Sequence, residues 1–359
     1  MPSSADILSP ASLTAAVNEV RSPLSFLKNL LYGSEETKPT VDIELSTIRD
    51  GRSMAPFVKR DGAAIMVDGD SEDFRIVKPA HIRIKRPLSP SDLLDKRRAG
   101  FGIHVDASDM NRQMRAYLAR EMSGMLRKVA NAEEWLSSQA LTGVISYVAE
   151  DGVSFEVDFG RDPSLVVILA GADLWSASTG QPSDDFLVAS ELINDFSEGR
   201  ATDAILGRNA RAAFLSNANV RAKFEYRGEN VRQGQVDLTT VNRDDGALFL
   251  GMYDHQVRVW SYGRQLRMPK TVAFPQGELV DLVRPDYAEF VWASPEAERV
   301  MYFGGIRDMK AIGAGRVLES KRFSKTWEVE DPSAMMSLIE SNPIPCNRRP
   351  DTHVSMKVV

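Results

Sequence analysis

Four histidines, one cysteine and a few adjacent carboxylates are the side chains of this 359-residue chain with the means to do chemistry. His81, His104, His255 and His353 stand far apart, and none has the H-E-x-x-H spacing that puts two imidazoles on one helical face around zinc. Cys346 is the only cysteine, which rules out an intrachain disulfide and a cysteine-rich metal site. It reads as a free thiol in a reducing cytoplasm, with an interchain disulfide as the alternative. It follows the stiff run Pro343-Ile344-Pro345, and only Arg348 and Arg349 lie near enough in sequence to activate it. Asp184-Asp185 and Asp244-Asp245 read as solvated faces or helix caps rather than acid/base dyads. The acidic run Asp68 to Asp73 lacks the spacing and distal glutamate of a calcium loop. Gly304-Gly305 and Gly313-Ala314-Gly315 fall short of a phosphate-cradling fingerprint, and no serine stands in G-x-S-x-G. The expectation is a protein without metal or cofactor that is not an enzyme.

Composition agrees with a folded body that works by contact. Hydrophobic residues make up 43%, enough for a sizeable core in two domains or one elongated one, and the net charge of -6 gives no global case for binding nucleic acid. No apolar run approaches a transmembrane span, and M-P-S-S-A-D lacks the blocks of a signal peptide.

The elements that would position such contacts are legible in outline. Met110, Met114, Leu118, Met122, Met125, Val129 and Leu136 recur at helical spacing and predict one amphipathic rod from about Asp109 to Leu141, ended by Gly143. Arg112, Arg115, Arg120, Arg127, Glu133 and Glu134 are read as lying largely elsewhere on the cylinder. Alternation around Asp151-Gly152 predicts a hairpin over Val144 to Gly160. Ahead of the rod, residues 1–40 read as an arm with a greasy patch, Phe26, Leu30 and Tyr32 among it, which must dock on its own chain or on a neighbour. Residues 41–90 read as a protruding excursion of strands, including Met54–Val58 and Ala64–Val67, with breaks at Pro79 and Pro87. The basic run Arg83, Lys85, Arg86, Lys96, Arg97 and Arg98 reads either as a solvated linker or as charge contacts with nucleic acid or an acidic neighbour. Residues 91–185 carry rod and hairpin, 186–316 a mixed α/β unit, and 317–359 a return whose last strand, His353–Val359, is expected to pair with the first hairpin. An enzyme of the α/β class resting on 186–316 is the alternative from another class.

That order, with V-D-I-E-L-S-T-I-R-D-G-R-S-M-A-P-F-V at Val41–Val58, V-K-P-A-H-I at Val77–Ile82, F-E-V-D-F-G-R at Phe155–Arg161 and D-L-W-S at Asp173–Ser176, resembles the lambda-type capsid protein E family of tailed phages. G-M-Y at Gly251–Tyr253, K-T-W-E-V-E-D-P, S-N-P and V-S-M-K-V extend the likeness to the C-terminus, collinear over about Leu24 to Val359. The resemblance implies an α+β chain with the Hong Kong 97 phage capsid fold: N-terminal arm, extended β-loop, long spine helix, peripheral sheet and α/β axial domain. It implies self-association into hexamers and pentamers around double-stranded DNA in a virion, a separately encoded scaffolding protein and a portal, and it leaves room for a decoration protein. It also implies subunit contacts through the loop, at Phe57, Ile65, Val67 and Phe74, alongside the arm residues Phe26, Leu30 and Tyr32. Cross-linking does not carry over, because no matching lysine and asparagine can be identified. An encapsulin-like compartment would share the fold.

Overall fold

The structure, a computed structural model, describes residues 14, 25–49, 71–88, 107–148, 154–221, 246–253, 257–269, 277–309, 319–331 and 334–359, with backbone alone at 48–49, 71–73, 88 and 107–118. Phe57, Ile65, Val67, Lys96, Arg97 and Arg98 lie outside the described residues, as do the strands expected at Met54–Val58 and Ala64–Val67.

A helix of 35 residues, α2 (Ala107–Leu141), runs through the molecule, about 50 Å at 1.5 Å per residue. Gly143 ends it at φ +91°, a backbone conformation that a side chain would oppose. Met122, Met125, Leu126 and Val129 of its middle turns are buried against Ile339 and the flanking Ile82 and Ile84. Those isoleucines belong to a three-stranded sheet of β15 (Phe323–Val329), β16 (Ala334–Ser341) and β4 (Ile82–Leu88). Pro87, expected to break the chain, sits inside β4 opposite Met336. It is tolerated because β4 is an edge strand among the described residues, where an N–H pointing away from β16 can be missing without loss of a ladder bond.

Before α2, a short helix α1 (Phe26–Leu31) leads into β1 (Ser34–Thr37), which pairs in parallel with β14 (Arg299–Phe303); β17 (Pro343–Asn347) closes that sheet. Gly305 lets the arm lie flat here, since a Cβ would come within 2.5 Å of the Pro39 carbonyl oxygen. A two-stranded ribbon follows, β2 (Ile43–Arg49) against β3 (Ser71–Val77). After α2 the hairpin forms as read, β5 (Val144–Val148) against β6 (Ser154–Asp158).

The α/β body is a sheet in the order β7-β18-β13-β8-β10-β9: Val166–Ile168, His353–Lys357, Tyr287–Val291, Asp203–Leu206, Val257–Ser261 and Leu248–Tyr253. One face carries α3 (Pro182–Ser197) on β18 and β13, and α4 (Arg208–Ser216) on β13 and β8. Between them lies an aromatic cluster of Trp175, Phe186, Phe214, Tyr253 and Phe290, with ring centroids 4.8 to 6.1 Å apart. This corrects two expectations. The last strand pairs with β13 and β7, not with the first hairpin. The α/β core accordingly draws in Leu165, Trp175 and residues 353–358 from beyond the 186–316 limits. Val354, Met356 and Val358 are apolar at every second position, and the face that needs them belongs to this sheet.

The opposite face of the same sheet is charged and buried. His353 Nε2 donates to Glu289 Oε2 at 3.0 Å, and its Nδ1 accepts from Arg161 Nη1 at 2.8 Å. Arg284 reaches Glu289 Oε1 at 2.7 Å, and Arg161 also meets Ser355. Burial, with Arg161 and Arg299 nearby, depresses the His353 pKa to about 4 despite Glu289, so the imidazole is neutral at pH 7. Burial would lift Glu289, but His353 and Arg284 overcome it and hold its carboxyl well below the usual range. The unfolded histidine gains its proton as pH falls through 6.5 while the folded one does not, so stability is lost on acidification between pH 6.5 and 4. For His353 alone this is about 3 kcal/mol. Urea unfolding of the wild type should therefore lose more stability across this window than His353→Gln does; an unchanged slope in the variant would contradict the assignment.

Candidate functional site

Glu133 and Glu134 form the junction on which the arm, the spine helix and the α/β body meet. Both are fully buried on α2. Glu133 accepts from Lys28 Nζ at 2.7 Å and from Arg322 at 2.8 to 3.1 Å. Lys28 also reaches Glu35 Oε1 at 2.7 Å, which ties α1 to β1. Burial alone would lift the Glu133 carboxyl, and Arg322 and Lys28 reverse that, holding it below the usual range. Glu134 accepts the backbone N–H groups of Leu27 and Lys28 at 2.8 and 3.0 Å and the Tyr262 hydroxyl at 2.8 Å. It caps α1 from another helix, where Ser25 at the N-cap position makes no side-chain capping bond. Burial raises its carboxyl above the usual range against these three donors.

The sequence reading put both glutamates on the polar part of the cylinder, and the structure corrects this. Glu133 lies four residues after Val129 and three before Leu136, squarely on the apolar stripe. That spacing was the available signal, and a buried carboxylate at such a position requires cations from elsewhere in the chain.

The same junction decides the arm residues. Phe26 and Tyr32, expected at contacts between copies, are committed to the chain's own core. The Phe26 ring lies 5.2 Å from Trp260 and 5.1 Å from Tyr262, and the Tyr32 hydroxyl donates to Asn347 at 2.7 Å. Leu30 is half-buried against the same cluster. Phe74 is placed differently. On the β2–β3 ribbon, Ile43, Leu45 and Val77 face inward and are buried, whereas Phe74 and Ile76 are 72% and 73% exposed on the other face. Two large apolar side chains thus stand bared side by side on a ribbon rooted in the core.

The described part of the basic run is largely spoken for. Arg86 meets Glu121 of α2 at 2.6 Å. Arg83, on the other face of β4, lies 3.4 Å from Glu340 and 3.7 Å from Asp308. Lys85 is exposed. Arg83 and Arg86 therefore serve intrachain pairs rather than standing as an open nucleic-acid patch. Cys346 is a free thiol, as read, buried in the core, where burial raises it well above the ordinary value, and the alternative of an interchain disulfide finds no exposed sulfur. His81 meets Asn342 at 2.8 Å, and Asp185 accepts the Trp175 indole N–H at 2.6 Å; His104, His255 and Asp244-Asp245 lie outside the described residues.

The described residues thus give an α+β body with an exposed apolar ribbon rooted in its core. The model of the family Phage major capsid protein E matches residues 9–358, and the chain belongs to that family: it is a phage major capsid protein. It is 25% identical over 287 residues to the major capsid protein of Escherichia phage N15, covering 78% of both chains, and 24% identical over 287 residues to that of Enterobacteria phage phi80, again 78% of both. Among solved structures it is similar to the putative capsid protein of a prophage from E. coli CFT073, with TM-score 0.70 at 17% identity over 98% of this chain and 99% of that one. A phage-related protein from Bordetella bronchiseptica RB50 gives TM-score 0.58 at 14% identity over 98% and 97%.

Removing the Glu133 carboxylate should take the buried bidentate acceptor from Arg322 and leave Lys28 with Glu35 as its carboxylate. Glu133→Ala should cost about 3–5 kcal/mol in urea unfolding; a loss under about 1 kcal/mol, the worth of a surface pair, would contradict the junction.

Proposed function

We propose that this chain builds the icosahedral head of a tailed phage, closing into hexamers and pentamers of the Hong Kong 97 type around double-stranded DNA. The observation that carries the reading is the family match along almost the whole chain. The bared Phe74 and Ile76 support it, because they give the subunit an apolar surface that association would cover. In this reading 107–158 with 323–347 form the peripheral part, and the β7–β18 sheet with α3 and α4 forms the axial part. Of the contact residues that the resemblance implies, Phe74 lies on the described ribbon, and Phe57, Ile65 and Val67 fall outside the described residues.

An interface of roughly 1,500 Å² is ordinary for a specific contact, and many such contacts of modest strength let early errors dissociate. DNA is met without sequence readout, by scattered cations such as Lys85 and by Lys96, Arg97 and Arg98. The partners expected in the host cytoplasm are a separately encoded scaffolding protein and a portal, with a decoration protein optional, and the finished location is the virion. The relatives in phages N15 and phi80 favour a phage head over an encapsulin-like compartment.

Electron microscopy tests the proposal. Co-expressed with its scaffolding protein, the wild-type chain should give closed shells. Phe74→Asp with Ile76→Asp should leave a soluble subunit with unchanged melting and no shells. Normal shells from the double variant would remove the ribbon from the interface, and absence of shells from the wild type would overturn the proposal.

A further inference from the structure

The outer side of α3 carries two parallel stripes of different chemistry. Its inner side, with Phe186, Ala189 and Ile193, packs into the α/β core. Along the opposite crest stand Asp184, Glu191 and Asp195, all exposed. At 3.6 residues per turn, positions seven and eleven residues on return to within about 20° of the same line. Down one shoulder of that crest run Val188, Leu192 and Phe196, each four residues from the last. Val188 and Phe196 are 43% and 41% exposed, and Leu192 is half-buried. Leu187, bared to a similar degree, flanks the crest on its other side.

Among the described residues, none of the three crest acids makes an ion pair. The sequence of α3 contains no lysine or arginine, and the first base after it is Arg200, beyond Glu198 and Gly199. Burial raises the carboxyl of Asp185, and the charges of Asp184 and Asp173 raise it further, which places Asp173 at the same acidic end of the helix. Apolar side chains aligned in solvent over two turns, beside acids that no cation answers, mark a surface for a partner.

We propose that this side of α3 is the docking face for a basic amphipathic helix of a second protein. The incoming helix seats apolar side chains, spaced three or four residues apart, on Val188, Leu192 and Phe196. Its lysines or arginines, on the adjoining stripe, face Asp184, Glu191 and Asp195. The apolar shoulder supplies adhesion, and the charged crest sets which way the helix lies. The crest runs about 16 Å along the axis, so three turns of the partner cover it. The occupant is another protein because the described helices of this chain lack the complement. Helix α4 bares one large apolar side chain, Leu215, and commits Arg208 to Asp281 at 2.9 Å. On α2, exposed Arg120, Arg127 and Lys128 have no exposed large apolar side chain of that helix beside them among the described residues. The face is distinct from Phe74 and Ile76, and the proposal goes beyond the shell reading without depending on it.

Fluorescence anisotropy of a labelled peptide with the free, full-length subunit tests this. The probe is a synthetic peptide of about 18 residues, long enough to hold a helix, with leucine on one stripe and lysine on the next. One control has the same composition in scrambled order, and another has glutamate in place of lysine. The patterned lysine peptide should bind about tenfold more tightly than either control. Glu191→Gln with Asp195→Asn removes two exposed ion pairs and should weaken that binding about fivefold. Val188→Ser with Phe196→Ser should weaken it by a similar factor, and neither variant should change the melting of the subunit. Equal binding of patterned and scrambled lysine peptides, no binding at all, or variants that bind like the wild type would overturn the proposal. So would a wild-type dimer in sedimentation that both variants return to monomer, since the face would then belong to a second copy. None of these results bears on shell formation, which microscopy of the wild type decides separately.

Discussion

Everything else in the subunit depends on two neighbouring carboxylates kept out of water in the middle of a protein. Glu133 and Glu134 have no solvent to stabilise them, so each must be matched by donors brought from distant parts of the chain. Lys28 and the α1 backbone come from about 106 residues upstream, Tyr262 from 128 residues downstream and Arg322 from 189. Satisfying one pair of side chains therefore requires the arm, the α/β body and the β15 sheet all to be in place. A hydrophobic pair could hold these segments together too, but with less demand on register, since ion pairs and capping bonds are directional.

The consequence is a division of labour in the leading part of the chain. Phe26, Leu27 and Tyr32 are spent inside the subunit, and Ile43, Leu45 and Val77 root the ribbon in the same cluster. Among the described residues of this part, large apolar side chains turn outward beyond that root, at Phe74 and Ile76. A contact surface held by a rigid root loses little further freedom when a partner arrives, which favours binding by groups that were ordered in advance. The α/β body follows the same logic through its two-sided sheet: aromatic rings beneath α3 and α4 on one face, and the Arg161–His353–Glu289–Arg284 chain on the other.

Local pattern made much of this legible. The rod, its glycine stop, the hairpin after it and strand Asp203–Leu206 all follow from periodicity and turn chemistry confined to neighbouring residues. What escaped was decided at long range. His353–Lys357 shows the alternation of a strand, but alternation does not name a partner, and the strand chose β13 and β7. Pro87 reads as a breaker until the strand is known to lie at an edge. Arg83 and Arg86 read as free charge until Asp308, Glu340 and Glu121 are brought beside them by the fold. The two glutamates were misplaced because the polar character of a carboxylate outweighed its position on the stripe. The cations of Glu133, Lys28 and Arg322, carry no local sign of where they go.

The central claim is that the buried glutamate pair fixes the arm to the body of a single subunit before any assembly takes place. Hydrogen exchange of the unassembled wild-type chain tests it most directly, at the Leu27 and Lys28 amides that donate to Glu134. The account predicts that these amides are protected to the same degree as those in the middle turns of α2. Exchange at the rate of an open chain, with α2 itself protected, would show that the arm is free until a neighbour holds it and would contradict the account.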